Sequence, residues 1–169
     1  MGAKFSISLK DRPQNIRGQI PFNIQIQEYS RAVAEGIVLI RGDFVEKSPV
    51  GGTGILRNSW ITNGPNVSGN TIKGEVVSSV IQAQVVDGGA KRHLPPHTEG
   101  SGLHQWVRRK LNITNRTRVN SVAFLISRKI KRDGIKAKRT FKISFGSIKP
   151  QIDATMERAK DRVVARLGK

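Results

Sequence analysis

The chain has 169 residues, no cysteine, and 30 Lys and Arg against 12 Asp and Glu, a formal net charge of +18. A chain of this length builds a core without staples, and the missing cysteines exclude disulfides, thiolate nucleophiles and Cys-ligated zinc. At 37% hydrophobic residues the composition is globular. No apolar run approaches the ~20 residues that cross a bilayer, and no secretory leader is visible, so a soluble, cytoplasmic chain is expected.

The charge is local. Residues 1–90 carry 9 basic and 7 acidic residues, whereas residues 91–149 carry 16 basic and 2 acidic, a net of +14. Self-repulsion on that scale calls for an anionic partner.

Phe5, Ile7 and Leu9 alternate, which fits a short strand over 4–10 or an N-terminal arm over 1–20. Pro21 suits a first helical turn. From there Phe22, Ile26, Tyr29, Val33, Ile37, Ile40 and Phe44 form one apolar stripe at steps of three and four, predicting a helix over 21–47 that stops at Ser48-Pro49. Gly36 in that helix suggests a close approach to a sheet. After a loop at 49–54, residues 55–61, 71–78 and 81–86 read as an antiparallel meander of about three strands. Turns are expected at Asn63–Asn66 and Ser68–Asn70, and Asp87-Gly88-Gly89 closes the meander.

A loop over 90–100 follows. Ser101 is a good N-cap for a short helix whose face is Leu103, Trp106, Val107 and Leu111. A longer helix is predicted over 117–132, with Val119, Val122, Ala123, Ile126 and Ile130 as its stripe and Gly134 as its C-terminal cap. Phe141, Ile143 and Phe145, spaced by two, predict an extended segment over 135–146 returning to the sheet. Pro150 then opens a last helix with the stripe Ile152, Met156, Ala159, Val163 and Leu167. The fold class expected is α+β: a small antiparallel sheet of three to four strands packed against a long N-terminal helix and further helices, with residues 21–169 as a single domain.

Catalytic and metal chemistry find little support. His93 and His97 are four apart, but Pro95 and Pro96 between them forbid a helix, so the three histidines, with His104, read as exposed loop residues. Glu75 and Asp87 are the only carboxylates a magnesium-dependent nuclease would find in the strand region, and they read as a surface Glu and a turn Asp. No nucleophile elbow or phosphate-binding glycine fingerprint occurs. No catalytic residue, cofactor or metal is therefore expected, and the chain is not read as an enzyme. What stands out is charge: Arg108-Arg109-Lys110, then Arg128, Lys129, Lys131 and Arg132, then Lys136, Lys138 and Arg139. Such a segment suits the backbone of a nucleic acid or an acidic protein surface, and no sequence-reading motif accompanies it.

The order of the pieces resembles the small neck and tail-completion proteins of tailed bacteriophages. Thr53-Gly54-Ile55-Leu56-Arg57-Asn58-Ser59-Trp60 is similar to that family's Thr-Gly-x-Leu-Arg-x-Ser turn after a long helix. Val85-Val86-Asp87-Gly88-Gly89, the His93-Leu94-Pro95-Pro96 loop, the helix bearing Leu103 and Trp106, and Gly134 to Lys138 follow in the family's order, over residues 20–168. The resemblance implies a structural virion protein in the neck or tail: a homo-oligomeric ring, commonly a hexamer, assembled in the host cytoplasm at the head–tail junction. Its partners would be connector or head-completion proteins, tail tube or tail terminator proteins, and DNA in the lumen, with no membrane. Thr53, Gly54, Leu56, Arg57 and Trp60 would then form the turn and subunit contact, with Gly54 in a backbone conformation other residues resist. Arg128, Lys129, Lys131, Arg132, Lys136, Lys138 and Arg139 would serve electrostatic docking. The alternative is a free basic nucleic-acid-binding protein acting through the same segment.

Overall fold

The apolar stripe that begins at Phe22 becomes a 26-residue helix, α1 (Phe22–Lys47), in the computed structural model, which describes residues 2–8, 22–49 and 54–166. The chain divides into two compact units. The first holds Met1–Lys47, Trp60–Ser78 and Phe141–Lys169, the second Ser48–Ser59 and Ser79–Thr140. The expected arm residues 9–20, with Pro21, lie outside the described residues, as do Val50–Thr53 of the loop and Leu167 of the last stripe.

In the first unit, α1 buries Ala32, Val33, Ile37, Ile40 and Phe44 and packs on an antiparallel hairpin of β2 (Ile61–Ser68) and β3 (Thr71–Val77). Strand β3 alternates as a strand between core and solvent must, with Ile72, Gly74 and Val76 inward and Lys73 outward. Gly36 is buried in α1, and a close helix–sheet approach is made at Gly74 of the strand. A Cβ there would lie 2.5 Å from Ile37 Cγ2 and 2.8 Å from Val33 Cγ1. Segment β1 (Gly2–Ser8) runs antiparallel along the other edge of β3, from Gly2 opposite Val77 to Ser8 opposite Thr71.

The sheet against α1 is thus a two-stranded hairpin extended by β1, and the expected meander is corrected in three places. Residues 55–58 form one helical turn, α2 (Ile55–Asn58), because left-handed Gly54 (φ +68°) redirects the chain and its carbonyl accepts the Asn58 N–H. Residues 81–88 form α3 (Ile81–Gly88), which buries Ala83 and Asp87, four apart. As a strand the same residues would have put Ile81 beside Ala83, yet Ile81 is 62% exposed. Residues Asn63–Asn66 are not a turn. Gly64 and Pro65 form a bulge inside β2, where the register jumps from Asn63 opposite Glu75 to Asn66 opposite Lys73. Pro65 has no N–H to give a ladder, and β2 is an edge strand, where that loss is tolerated.

The fourth correction is the largest. Residues 140–165 are one helix, α6 (Thr140–Ala165), and Pro150 lies inside it. Its buried set is Phe141, Ser144, Ile148, Ile152, Thr155, Ala159 and Val163, at steps of three and four, which overrides the two-residue spacing of Phe141, Ile143 and Phe145. Ile143 is 66% exposed. Pro150 is exposed, and the residue four before it, whose carbonyl the ring crowds, is Gly146. Phe44, Trp60 and Phe141 form an aromatic cluster with centroids 4.7–5.1 Å apart. Arg41 Nε donates to the Trp60 carbonyl at 2.9 Å. Buried Glu28 accepts from Arg162 Nε at 2.8 Å and pairs with Arg166 Nη2 at 2.8 Å, tying α6 back to α1.

Candidate docking surface

The second unit is where the charge gathers. It carries 15 Lys and Arg against three Asp and Glu, a net of +12 of the chain's +18. Two helices frame it. In α4 (Gly102–Lys110), Ser101 Oγ accepts the His104 N–H at 3.2 Å, the cap expected from the sequence. Its last turn is Arg108, Arg109 and Lys110, where cations offset the negative end of the helix dipole. In α5 (Arg116–Asp133), Asn115 is the cap, its Oδ1 accepting the Arg118 N–H at 3.0 Å. The helices meet through Val107, Val119 and Ala123, all buried, with Leu103, Ile113, Val122 and Ile126 around them.

Gly134 ends α5 at φ +71°, as expected. A Cβ there would sit 2.7 Å from the Ala90 carbonyl oxygen. That close approach is an antiparallel bridge between Ala90 and Ile135, with N–H···O distances of 2.9 and 2.8 Å. The chain then runs along the end of α3: Lys138 N donates to the Val86 carbonyl at 3.3 Å and Arg139 N to the Asp87 carbonyl at 3.1 Å. These bonds hold Lys136, Lys138 and Arg139 in place with their side chains exposed.

All seven docking residues expected from the sequence therefore fall in this unit: Arg128, Lys129, Lys131 and Arg132 on the last turns of α5, the other three on the segment that follows. One is locally neutralised. Arg132 Nε binds Asp133 Oδ1 at 2.8 Å, and its Nη2 donates to Oδ2 at 3.0 Å. The guanidinium holds the Asp133 carboxyl below its ordinary range, helped by Lys129 and Arg92. Asp133 in turn raises Arg132.

The turn residues divide. Thr53 lies outside the described residues. Gly54 and Leu56 build α2, with Leu56 buried, and Arg57 is half-buried there. Trp60 belongs to the first unit's aromatic cluster and is 2% exposed.

Two features were not foreseen. His104 is a buried helical residue rather than a loop histidine, and its Nε2 has no hydrogen-bond partner. On α4 the buried positions are His104 and Val107, whereas Trp106 and Leu111 of the expected face are 36% and 46% exposed. Glu99, His104, Arg108, Arg109, Asn112 and Thr114 line a groove of about 710 Å³ along another side of α4. A capping Ser three residues before the histidine was the one signal that placed it on a helix. Asp87, expected in a turn, is a buried residue of α3. Among the described residues no group of three or more His, Cys, Asp or Glu is placed to hold a metal ion, and no helix is long and apolar enough to cross a membrane. No protein-family model, curated protein or solved structure matches the chain.

Proposed function

We propose that the chain is a structural virion subunit of a tailed bacteriophage, of the neck or tail-completion type. It forms a ring at the head–tail junction and joins connector to tail. The observation that carries the reading is an ordered series of pieces: long helix α1, the left-handed Gly54 turn, the β2–β3 hairpin, the His93–Pro96 loop, Trp-bearing α4, basic α5 and terminal α6. That series follows the motif order of the family the sequence resembles. Its action is assembly. A ring of subunits each carrying +18 accumulates repulsion, so it gains stability only against an anionic neighbour. The exposed cations of α5 and the 136–139 segment are the contact, and the neighbour is an acidic connector or tail protein. Ring closure uses a heterologous contact, in which each subunit presents two different surfaces.

The test is complementation of a gene deletion with a triple variant, Arg128→Glu, Lys129→Glu and Lys131→Glu. Loss of joined particles is expected, and unchanged infectious yield would refute the reading. A free nucleic-acid-binding protein is the second reading. It is favoured by Arg128, Lys129, Lys131, Lys136, Lys138 and Arg139, all exposed and in none of the ion pairs found among the described residues. It predicts duplex binding whose affinity falls by about 0.9 logarithmic units per phosphate contact for each tenfold rise in salt.

A further inference from the structure

We propose that α5 and the 94–97 loop form a mixed apolar and cationic surface that captures an acidic protein segment bearing apolar side chains. This deepens the docking reading above and rests on it. Phe124 is 43% exposed, Leu125 63% and Leu94 49%. Single exposed apolar residues are ordinary, but a joined group marks an interaction site. These are joined. The His97 ring lies 5.3 Å from that of Phe124. Ser127 Oγ, one turn on, donates to the Pro95 carbonyl at 2.7 Å, which fixes the loop to α5 beside Leu94. The Arg128 guanidinium sits 5.8 Å over the Phe124 ring, held there by the ring's negative face.

The helix repeat sets the surrounding charge. Arg128 is four residues from Phe124 and Lys129 four from Leu125, so each apolar side chain has a cation directly beside it. Lys131 extends the cationic edge toward the end of the helix, whereas Arg132 is paired with Asp133.

The occupant follows from the chemistry. Carboxylates match the cations, and an apolar anchor matches Leu125. A phosphodiester backbone would use the cations and leave Leu125 and Leu94 in water, because an aliphatic side chain offers no stacking face. A second copy of the chain would bring a further +18 against a cationic surface. An acidic amphipathic segment satisfies both halves: its apolar side chains at helical spacing fill the centre, and its carboxylates meet the rim.

The test uses the full-length protein and three labelled probes in fluorescence anisotropy at physiological salt. They are a Glu-rich peptide with two leucines one helical turn apart, the same peptide with both leucines changed to serine, and a short DNA duplex. The leucine peptide is expected to bind about tenfold more tightly than the serine peptide, as burial of an exposed leucine would give. Leu125→Ser is expected to erase that preference with an unchanged circular dichroism spectrum, since the residue is largely exposed. Equal binding of the two peptides, or a preference that survives Leu125→Ser, overturns the apolar anchor. Tighter binding of the duplex than of the leucine peptide overturns the proposal in favour of nucleic acid. The Arg128→Glu, Lys129→Glu, Lys131→Glu variant separates the two levels. If it still binds both peptides, the electrostatic docking reading itself fails. If it loses both while Leu125→Ser changes nothing, only the anchor fails.

Discussion

Replacing Gly74 by alanine tests the packing that sets α1 on the sheet. The added Cβ would stand 2.5 Å from Ile37 Cγ2 and 2.8 Å from Val33 Cγ1, against an ordinary carbon–carbon separation of about 3.5–4.0 Å. Neither neighbour can turn aside easily. Both are β-branched and therefore stiff at χ1, and they are 3% and 0% exposed. Helix and sheet must then separate by the order of an ångström, or a rotamer must be forced. Such overpacking costs about 1–3 kcal/mol, reduced by the roughly 0.4–1 kcal/mol that alanine gains by restricting the unfolded chain. A net loss near 1–2 kcal/mol should lower the urea midpoint by about 1 M, given an m value of about 1–3 kcal/mol/M. The assay is urea unfolding followed by fluorescence of Trp60, in a Trp106→Phe background so that only the first unit reports. Gly42→Ala is the control, because nothing lies within 4 Å of a Cβ there and the helix gains up to about 1 kcal/mol. A Gly74→Ala midpoint equal to or above that of the parent would refute the close-packing argument.

Further outcomes follow from named contacts. Trp60→Ala should cost about 3–5 kcal/mol by emptying the cluster with Phe44 and Phe141, read as loss of a cooperative thermal transition; a shift of only a degree or two would contradict the cluster. Glu28→Ala should destabilise by about 1–3 kcal/mol, since the buried carboxylate receives Arg162 and Arg166; urea titration checks it. Asp133 should titrate below an ordinary aspartate by carboxyl-carbon NMR, and Arg132→Ala should move it back up. Because its folded-state value is depressed, its contribution to stability is present above the ordinary Asp range of about 3.9 and is lost as pH falls through the folded value.

Some of this architecture could be read directly from residue order and some could not, and the divide is physical. Helix α1 was legible because its stripe runs for many turns and no strand period competes. The caps at Ser101 and Gly134 and the left-handed Gly54 were legible because each is a local demand that one residue type meets. Residues 81–88 were not, because a short apolar run satisfies strand and helix spacing alike; only the burial of Ala83 with Asp87 decides it. The first half of α6 was hidden by Pro150, an expected helix start that proves to be an exposed interior position. At Asn63–Asn66, turn-forming residues build a bulge because an edge strand tolerates them. The exposed cations of α5 and the 136–139 segment were legible as charge. Their mixing with Phe124 was not, since the loop residue beside that ring, His97, is far from it in sequence and only the fold brings the two together.

The proposed assembly at the head–tail junction is tested by electron microscopy of a lysate made without this one gene. DNA-filled heads beside separate tails, or tails with aberrant ends, are the expected result. Normal joined particles would contradict it.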